Sequence, residues 1–135
     1  MAVEYVKVKR NINFGENPGE RFVARIFRSQ DVELDQIAKD ISESTTIGYP
    51  DVLGCLKAME IQISKYILQG QSVKLGLMGS FIPSIHAKSQ ENADDVDAST
   101  IKRFTCRFFP SSTFKAQFAK CSFREANLEV KGLIK

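Results

Sequence analysis

The sequence has few of the residues that reactive sites need. Its one histidine is His86, and its three cysteines, Cys55, Cys106 and Cys121, are odd in number and lie far apart. A disulfide framework needs cysteine pairs in an oxidising compartment, so buried and reduced thiols are the better prediction. Nucleophilic catalysis by serine or cysteine usually needs a base, and one histidine on a predicted strand is more often a surface residue. The sequence therefore predicts that the protein is not an enzyme.

Motifs that bind metal ions or nucleotide phosphates are also missing. Neither CxxC nor HxxxH spacing occurs, and the cluster Asp94-Asp95-Val96-Asp97 lacks the alternating acids, the glycine and the distant glutamate of an EF-hand loop. Gly76 and Gly79 follow a strand-like run, but GxxxxGK[ST] and GxGxxG are absent. We therefore expect no metal ion, no cofactor and no small-molecule substrate.

Long apolar runs are missing as well. No segment approaches the roughly 20 apolar residues of a membrane span, and MAVEYVKVKR has no apolar stretch of signal-peptide length. The chain has 135 residues, of which 43% are hydrophobic and 26% charged, which is typical of one soluble globular domain. We expect a single cytoplasmic domain over residues 1–135, without a membrane partner.

Charge is distributed unevenly along the chain. The net charge is +3, yet residues 89–101 carry four acids and no lysine or arginine. The difference between +3 and −4 leaves a charge of +7 on the rest of the chain. A basic body with one acidic segment is compatible with nucleic-acid binding.

The hydrophobic pattern predicts a β-hairpin followed by two helices. Residues 3–12 and 20–29 interleave apolar and charged residues on either side of the turn NFGENPG, which predicts the hairpin. Apolar residues then recur at helical spacing from Leu34 to Ile41 and again from about Tyr49 to Gln69. So much apolar surface on two helices favours a dimer, which would cover it on a second side.

The second half of the sequence predicts strands on either side of the acidic segment. SVKLGLMGSFIPSIHAK and IKRFTCRFF are strand-like, a short helix is predicted over 113–121, and the tail over 122–135 fits either a strand or a loose segment. In IKRFTCRFF, strand alternation places Arg103, Thr105 and Arg107 on the face opposite Phe104, Cys106 and Phe108. If the phenylalanines cover the helices, the arginines face a ligand, but these positions are equally typical of solvated strand residues.

Two motifs and the order of these elements resemble the HU/IHF family of bacterial histone-like DNA-binding proteins. GLMGSF at 76–81 is similar to the family's G-x-F-G-x-F turn, with Met78 where phenylalanine is usual. FFPSSTFK at 108–115 is similar to the F-x-P/S-G/S-x-x-L-K segment that opens the last helix. The match covers about residues 31–121, and the preceding hairpin resembles the HU-like variants of Bacteroidetes-type bacteria.

This resemblance implies an α+β fold in which helices pack under a β-sheet saddle with β-arms, in an intertwined homodimer. The HU-like core would span 31–121 with an arm at about 86–102, an added hairpin over 1–30 and a tail over 122–135. The implied partner is double-stranded DNA, bound with little sequence specificity, as in nucleoid-associated architectural proteins. The residues that the resemblance places at DNA are His86, Lys88, Lys102, Arg103, Arg107, Lys115, Gly76 and Gly79.

The arm segment departs from the family pattern. The Arg-Asn-Pro arm tip is missing and no proline lies between Pro83 and Pro110, so we do not expect a proline wedge between base pairs. Four carboxylates near phosphates would weaken the electrostatic term that dominates non-specific DNA affinity. An alternative prediction is therefore an HU-fold dimeric interaction or scaffolding module that has lost DNA binding.

Overall fold

The structure is a computed structural model that describes residues 2–132. These residues fall into two compact units, one formed by the described parts of Met1–Asp31 and Phe118–Lys135 and the other by Val32–Gln117. The predicted single domain over 1–135 stays a prediction. The strands are β1 (Ala2–Ile12), β2 (Gly19–Ile26), β3 (Val73–Lys74), β4 (Gly79–Ala87), β5 (Ile101–Pro110) and β6 (Ser122–Glu125), and the helices are α1 (Leu34–Ser44), α2 (Tyr49–Leu68) and α3 (Ser112–Phe118).

The first unit contains a three-stranded sheet with the order β2-β1-β6. β1 and β2 form the predicted hairpin, in register from Tyr5 opposite Ile26 to Ile12 opposite Gly19. β6 joins the other edge of β1 in parallel, which settles the alternative left open for the start of the tail. Ion pairs link neighbouring strands on one face, because Lys9 Nζ lies 2.7 Å from a Glu20 carboxylate oxygen and Lys7 Nζ lies 3.3 Å from one of Glu125.

The segment after β6 is attached to β1 through Glu4. The Glu4 carboxylate accepts hydrogen bonds from Lys131 Nζ at 2.8 Å and from Arg124 Nη2 at 3.0 Å. The hydrogen bond from Lys131, followed by that from Arg124, lowers the pKa of Glu4 against the opposing effect of desolvation. Lys131 Nζ also lies 5.2 Å from the centre of the Phe27 ring, so one lysine closes this part of the sheet.

The second unit begins with the two predicted helices. Pro50 occupies the first turn of α2, where its missing N–H is not needed, and the helix ends before Gly70, whose φ of +80° suits glycine. α1 packs against α2, and α2 packs against β3 and β4. The buried apolar residues of this unit are Ala38, Val52 and Ile67, so the core of the single chain is small.

The sheet of the second unit has the order β3-β4-β5. Phe81 lies opposite Phe108 in the register, and their ring centres are 5.2 Å apart. Pro83 is tolerated within β4 because the two-residue strand β3 pairs only with Ser80 and Phe81, which leaves that edge of β4 open at Pro83. The predicted α+β fold, with helices packed against a β-sheet, is confirmed.

The predicted arm over 86–102 has a strand pair at its base, and the ladder ends at Ala87 opposite Ile101. Short 3-10 turns at Ala93–Asp95 and Ala98–Thr100 follow, and Asp97 caps the second turn by accepting a hydrogen bond from the Ser99 N–H at 2.9 Å. The expectation of buried cysteines is wrong for the single chain, since Cys55 and Cys106 are exposed and Cys121 is half-buried.

Candidate nucleic-acid interface

One face of the β4–β5 pair carries a line of cationic and polar side chains. His86 lies opposite Arg103, and Ile82 lies opposite Arg107. Residues that are opposite in an antiparallel pair share a face, and alternate residues along each strand do the same. Arg103 and Arg107 therefore lie on one face about 13 Å apart along the strand. Thr105 lies between them, with its hydroxyl 3.5 Å from the Ser84 carbonyl oxygen.

A shallow hollow of about 330 Å³ opens on this face. The predicted residues His86 and Arg107 line it, together with four that were not singled out: Ile82, Pro83, Ser84 and Phe109. Strand alternation in SFIPSIH would place Ile82, Ser84 and His86 on one face, and the same alternation in IKRFTCRFF would place Phe109 beside Arg107. The signal for Phe109 was therefore present in the sequence.

Lys88 and Lys102 lie at the end of the ladder. The Lys88 N–H donates to the Thr100 carbonyl at 2.8 Å, which closes the loop that carries the acidic segment. The register shifts between His86 and Ala87, so Lys102 is the extra residue of a β-bulge. Both lysines are exposed near the Arg103 end of the cationic face.

Gly76 and Gly79 shape a tight turn between β3 and β4. Gly76 has a φ of +55° and Gly79 a φ of +150°, and the Leu75 N–H donates to the Gly79 carbonyl at 2.7 Å. A Cβ atom on Gly79 would lie 2.2 Å from the Phe109 carbonyl oxygen and 2.9 Å from the Pro110 Cα. This close approach explains the second glycine, because a side chain there would separate β4 from the end of β5.

The same turn is joined to the beginning of α3. The Ser111 N–H donates to the Met78 carbonyl at 2.9 Å, and the Ser111 hydroxyl donates to the Leu77 carbonyl. The Ser111 hydroxyl also accepts from the Phe114 N–H at 3.1 Å, which makes it the N-cap of the helix. Lys115 is exposed in the second turn of α3. The structure thus places Gly76, Gly79 and the α3 segment with Lys115 together, next to the end of β5 that follows Arg107.

The basic side chains of the interface have no acidic partners among residues 2–132. None of the exposed basic side chains predicted at DNA forms an ion pair with a carboxylate of residues 2–132; these residues are His86, Lys88, Lys102, Arg103, Arg107 and Lys115. The acidic segment lies beyond the bulge, with Glu91, Asp94, Asp95 and Asp97 exposed. Hydrogen bonds from the Ser99 hydroxyl and then from the Ser99 N–H lower the pKa of Asp97, so it stays ionised in the loop at neutral pH.

Other functional chemistry finds little support in the described residues. No group of three or more His, Cys, Asp or Glu side chains among residues 2–132 is arranged to hold a metal ion. None of the helices in that part of the chain has the length and apolar character needed to cross a bilayer.

Comparison with known proteins identifies the family. No curated protein matches the chain significantly. The chain is similar in structure to a candidate bacterial DNA-binding protein from Bacteroides vulgatus ATCC 8482, with a TM-score of 0.66 and 9% sequence identity over 92% of this chain. The match spans 47% of that protein, so our chain covers about half its length. A family model described as an HU domain fused to a wHTH, Ig or glycine-rich motif matches residues 1–125, and the chain therefore belongs to this HU-HIG family.

Proposed function

We propose that this chain binds double-stranded DNA, with little sequence specificity, through the β4–β5 face that carries His86, Arg103 and Arg107. The observation that carries the proposal is that two arginines and a histidine share one strand-pair face without an acidic partner among residues 2–132. Arginine matches phosphate oxygens with two donors at once, and such contacts supply most of the non-specific affinity for DNA. Membership of the HU-HIG family and the description of the Bacteroides neighbour support the same role.

The remaining predicted residues fit around this face. Lys88 and Lys102 would extend the phosphate contacts toward the acidic loop, and Lys115 would do so at the opposite end of β5. The backbone at Gly76 and Gly79 would approach a phosphate closely, as a turn without side chains allows. Such a protein would act as an architectural component of the nucleoid in the cytoplasm, and it would do no chemistry on the DNA.

We also propose that the binding form is a homodimer. The chain exposes 11539 Å², whereas two separate compact bodies of the same total mass would expose roughly 8,500 Å². Part of the excess is apolar, since Ile85, Phe104 and Phe108 on the face opposite the arginines are 52%, 46% and 38% exposed. The excess is roughly 3,000 Å² per chain, or about 6,000 Å² for two chains, which is enough for the interface of a permanent dimer.

Sedimentation at micromolar concentration tests the dimer. The single chain has a mass of 15.1 kDa, so we expect a species of twice that mass. Charged substitution of the apolar face, Phe104→Glu, should produce monomer. A wild-type protein that sediments only as a 15.1 kDa species would contradict the dimer but not the cationic face.

Charge reversal on β5 tests the DNA interface. Arg103→Glu and Arg107→Glu should each weaken binding to random-sequence duplex at least about tenfold at 0.1 M salt, because each replaces an attraction to phosphate by a repulsion. Lys65→Glu on α2 makes the same charge change outside the β4–β5 face and is the matched control; we expect its affinity to stay within about threefold of wild type. Equal decreases in affinity for all three variants would show that only net charge matters.

The acidic loop is the feature that favours the alternative function, a scaffolding module that does not bind DNA. Four exposed carboxylates beyond Ala87 suit a protein contact better than a phosphate contact. If the wild-type chain binds duplex no better than a neutral control protein at low salt, the DNA-binding proposal is wrong and this alternative takes its place.

A further inference from the structure

The two faces of the N-terminal hairpin differ in whether their cationic side chains form ion pairs. On the face of β1 with Lys7 and Lys9, both lysines form ion pairs, with Glu125 and Glu20. The opposite face carries Arg10 and Arg21, which lie directly across from each other, and Arg25, which lies across from Val6. All three arginines are exposed, and none forms an ion pair with a carboxylate of residues 2–132.

The arrangement of these arginines is unfavourable in the absence of an anion. Like charges directly across a strand pair repel and destabilise the sheet. Within residues 2–132, the one hydrogen bond from a side chain of these arginines is from Arg21 Nε to the Asn17 carbonyl, at 3.4 Å and exposed to solvent. The nearest acid on this face of β1, Glu4, is already held by Arg124 and Lys131. The face therefore retains a local excess of positive charge that a bound anion would relieve.

The spacing of the arginines suits a polyanion with regular charges. Arg21 and Arg25 are four residues apart on β2, which is about 13 Å along the strand. That distance corresponds to the rise of about four base pairs of duplex DNA, at about 3.4 Å each. Val8 and Val23, opposite each other in the register, form the floor between the arginines. A shallow groove of about 450 Å³ opens there, lined by both valines, Arg10, Arg25 and the backbone neighbours Lys9 and Ala24.

We propose that this arginine face, formed by Arg10, Arg21 and Arg25, is a second binding surface for the nucleic-acid backbone, separate from the β4–β5 face. This inference rests on the proposed DNA-binding function and adds a place where the added hairpin engages phosphates. Arginine binds phosphate through a planar fork of donors that lysine lacks. A regular phosphate backbone suits the row better than an acidic protein, because the groove between the arginines is shallow and offers no deep apolar pocket for a side chain to anchor.

The test is a salt titration of duplex binding by the full chain. Arg10→Gln with Arg25→Gln removes two charges from the arginine face, and Lys7→Gln with Lys9→Gln removes two from the opposite face of the same strand pair. In the arginine variant, the slope of log affinity against log salt concentration should become shallower by about 0.9 for each phosphate that is no longer neutralised. In the lysine variant the slope should hardly change. Arg21→Gln alone is an independent variant; it removes one arginine from each subunit of the dimer, so the expected change in slope is about 1.8.

Three outcomes decide the proposal. Equal slopes for the arginine and lysine double variants would overturn it, while weaker binding by Arg103→Glu in the same assay would leave the β4–β5 interface intact. Weaker binding by the arginine variant together with full binding by Arg103→Glu would support the hairpin surface and refute the β4–β5 interface. A changed sedimentation mass of the arginine variant with an unchanged salt slope would assign the face to a protein partner and would also overturn the proposal. Circular dichroism of each variant confirms that the hairpin remains folded.

Discussion

The two sheets of this protein use charge and close packing in different ways. The β2-β1-β6 sheet is held together by ion pairs between its strands, and Glu4 binds two cations, Arg124 of β6 and Lys131 of the segment that follows β6. The β3-β4-β5 sheet has no such pair among the described residues, and its arginines lie on a face with a hollow beside them. Its strands are held instead by ring packing and by a glycine turn without room for a side chain. Cations that form ion pairs between strands thus lie in the β2-β1-β6 sheet, whereas the arginines of the β3-β4-β5 sheet remain available for a ligand.

The largest expected effect that distinguishes the sheets is at their turn glycines. Gly79→Ala should lower the free energy of unfolding by about 3 kcal/mol, because the backbone conformation is strained for alanine and the new Cβ would meet the Phe109 carbonyl at 2.2 Å. Gly19 in the hairpin has a φ of +125°, but no atom lies within 4 Å of a Cβ added there. Gly19→Ala should therefore lower the free energy of unfolding by the backbone strain alone, about 1 to 2 kcal/mol. Thermal unfolding measures both, and equal destabilisation would show that close packing does not matter at Gly79.

A smaller effect is expected at Glu4, which holds the first unit together electrostatically. Glu4→Gln removes the charge that Lys131 and Arg124 share, and it should speed amide exchange at Ala126, whose N–H donates to the Tyr5 carbonyl at 2.9 Å. Glu129→Gln makes the same change of charge in the segment after β6, without removing a partner of Lys131 or Arg124, and is the control. Unchanged exchange at Ala126 in the Glu4 variant would show that the ion pairs contribute nothing to this closure.

The pH dependence of the same exchange has a definite sign. The folded pKa of Glu4 is lowered, chiefly by the hydrogen bond from Lys131. Its stabilising contribution is therefore present above the ordinary carboxyl pKa and is lost as the pH falls through the folded value. Acidification should loosen the segment in the wild type and leave Glu4→Gln, already loosened, nearly unchanged once the intrinsic pH dependence of exchange is removed.

The features of the two sheets that depend on neighbouring residues could be predicted from the sequence. Alternation in IKRFTCRFF correctly placed Arg103 and Arg107 on one face, and the turn NFGENPG correctly placed the hairpin. The parallel pairing of β6 with β1 was not predictable, because about 120 residues separate the partners and no local pattern encodes the pairing. The arginine face needed the hairpin register, since alternation relates Arg21 to Arg25 but not to Arg10.

The turns of the acidic segment could not be predicted from the family pattern either. The family resemblance implied extended strands, whereas Asp97 and Asn92 favour local turns through side-chain hydrogen bonds to residues two or three positions ahead. Strand pairing past the bulge at Ala87 would have to compete with these bonds and bring like-charged carboxylates together. The local chemistry of the loop therefore prevailed over the family pattern.

The salt dependence of duplex binding by the Arg103→Gln, Arg107→Gln double variant tests the central claim most directly. If both arginines of each subunit neutralise phosphates, the dimeric variant leaves four phosphates without a cation. The slope of log affinity against log salt should then become shallower by about 3.6 relative to wild type. A steep wild-type slope that is unchanged in the double variant would contradict the claim that the β4–β5 face holds the DNA.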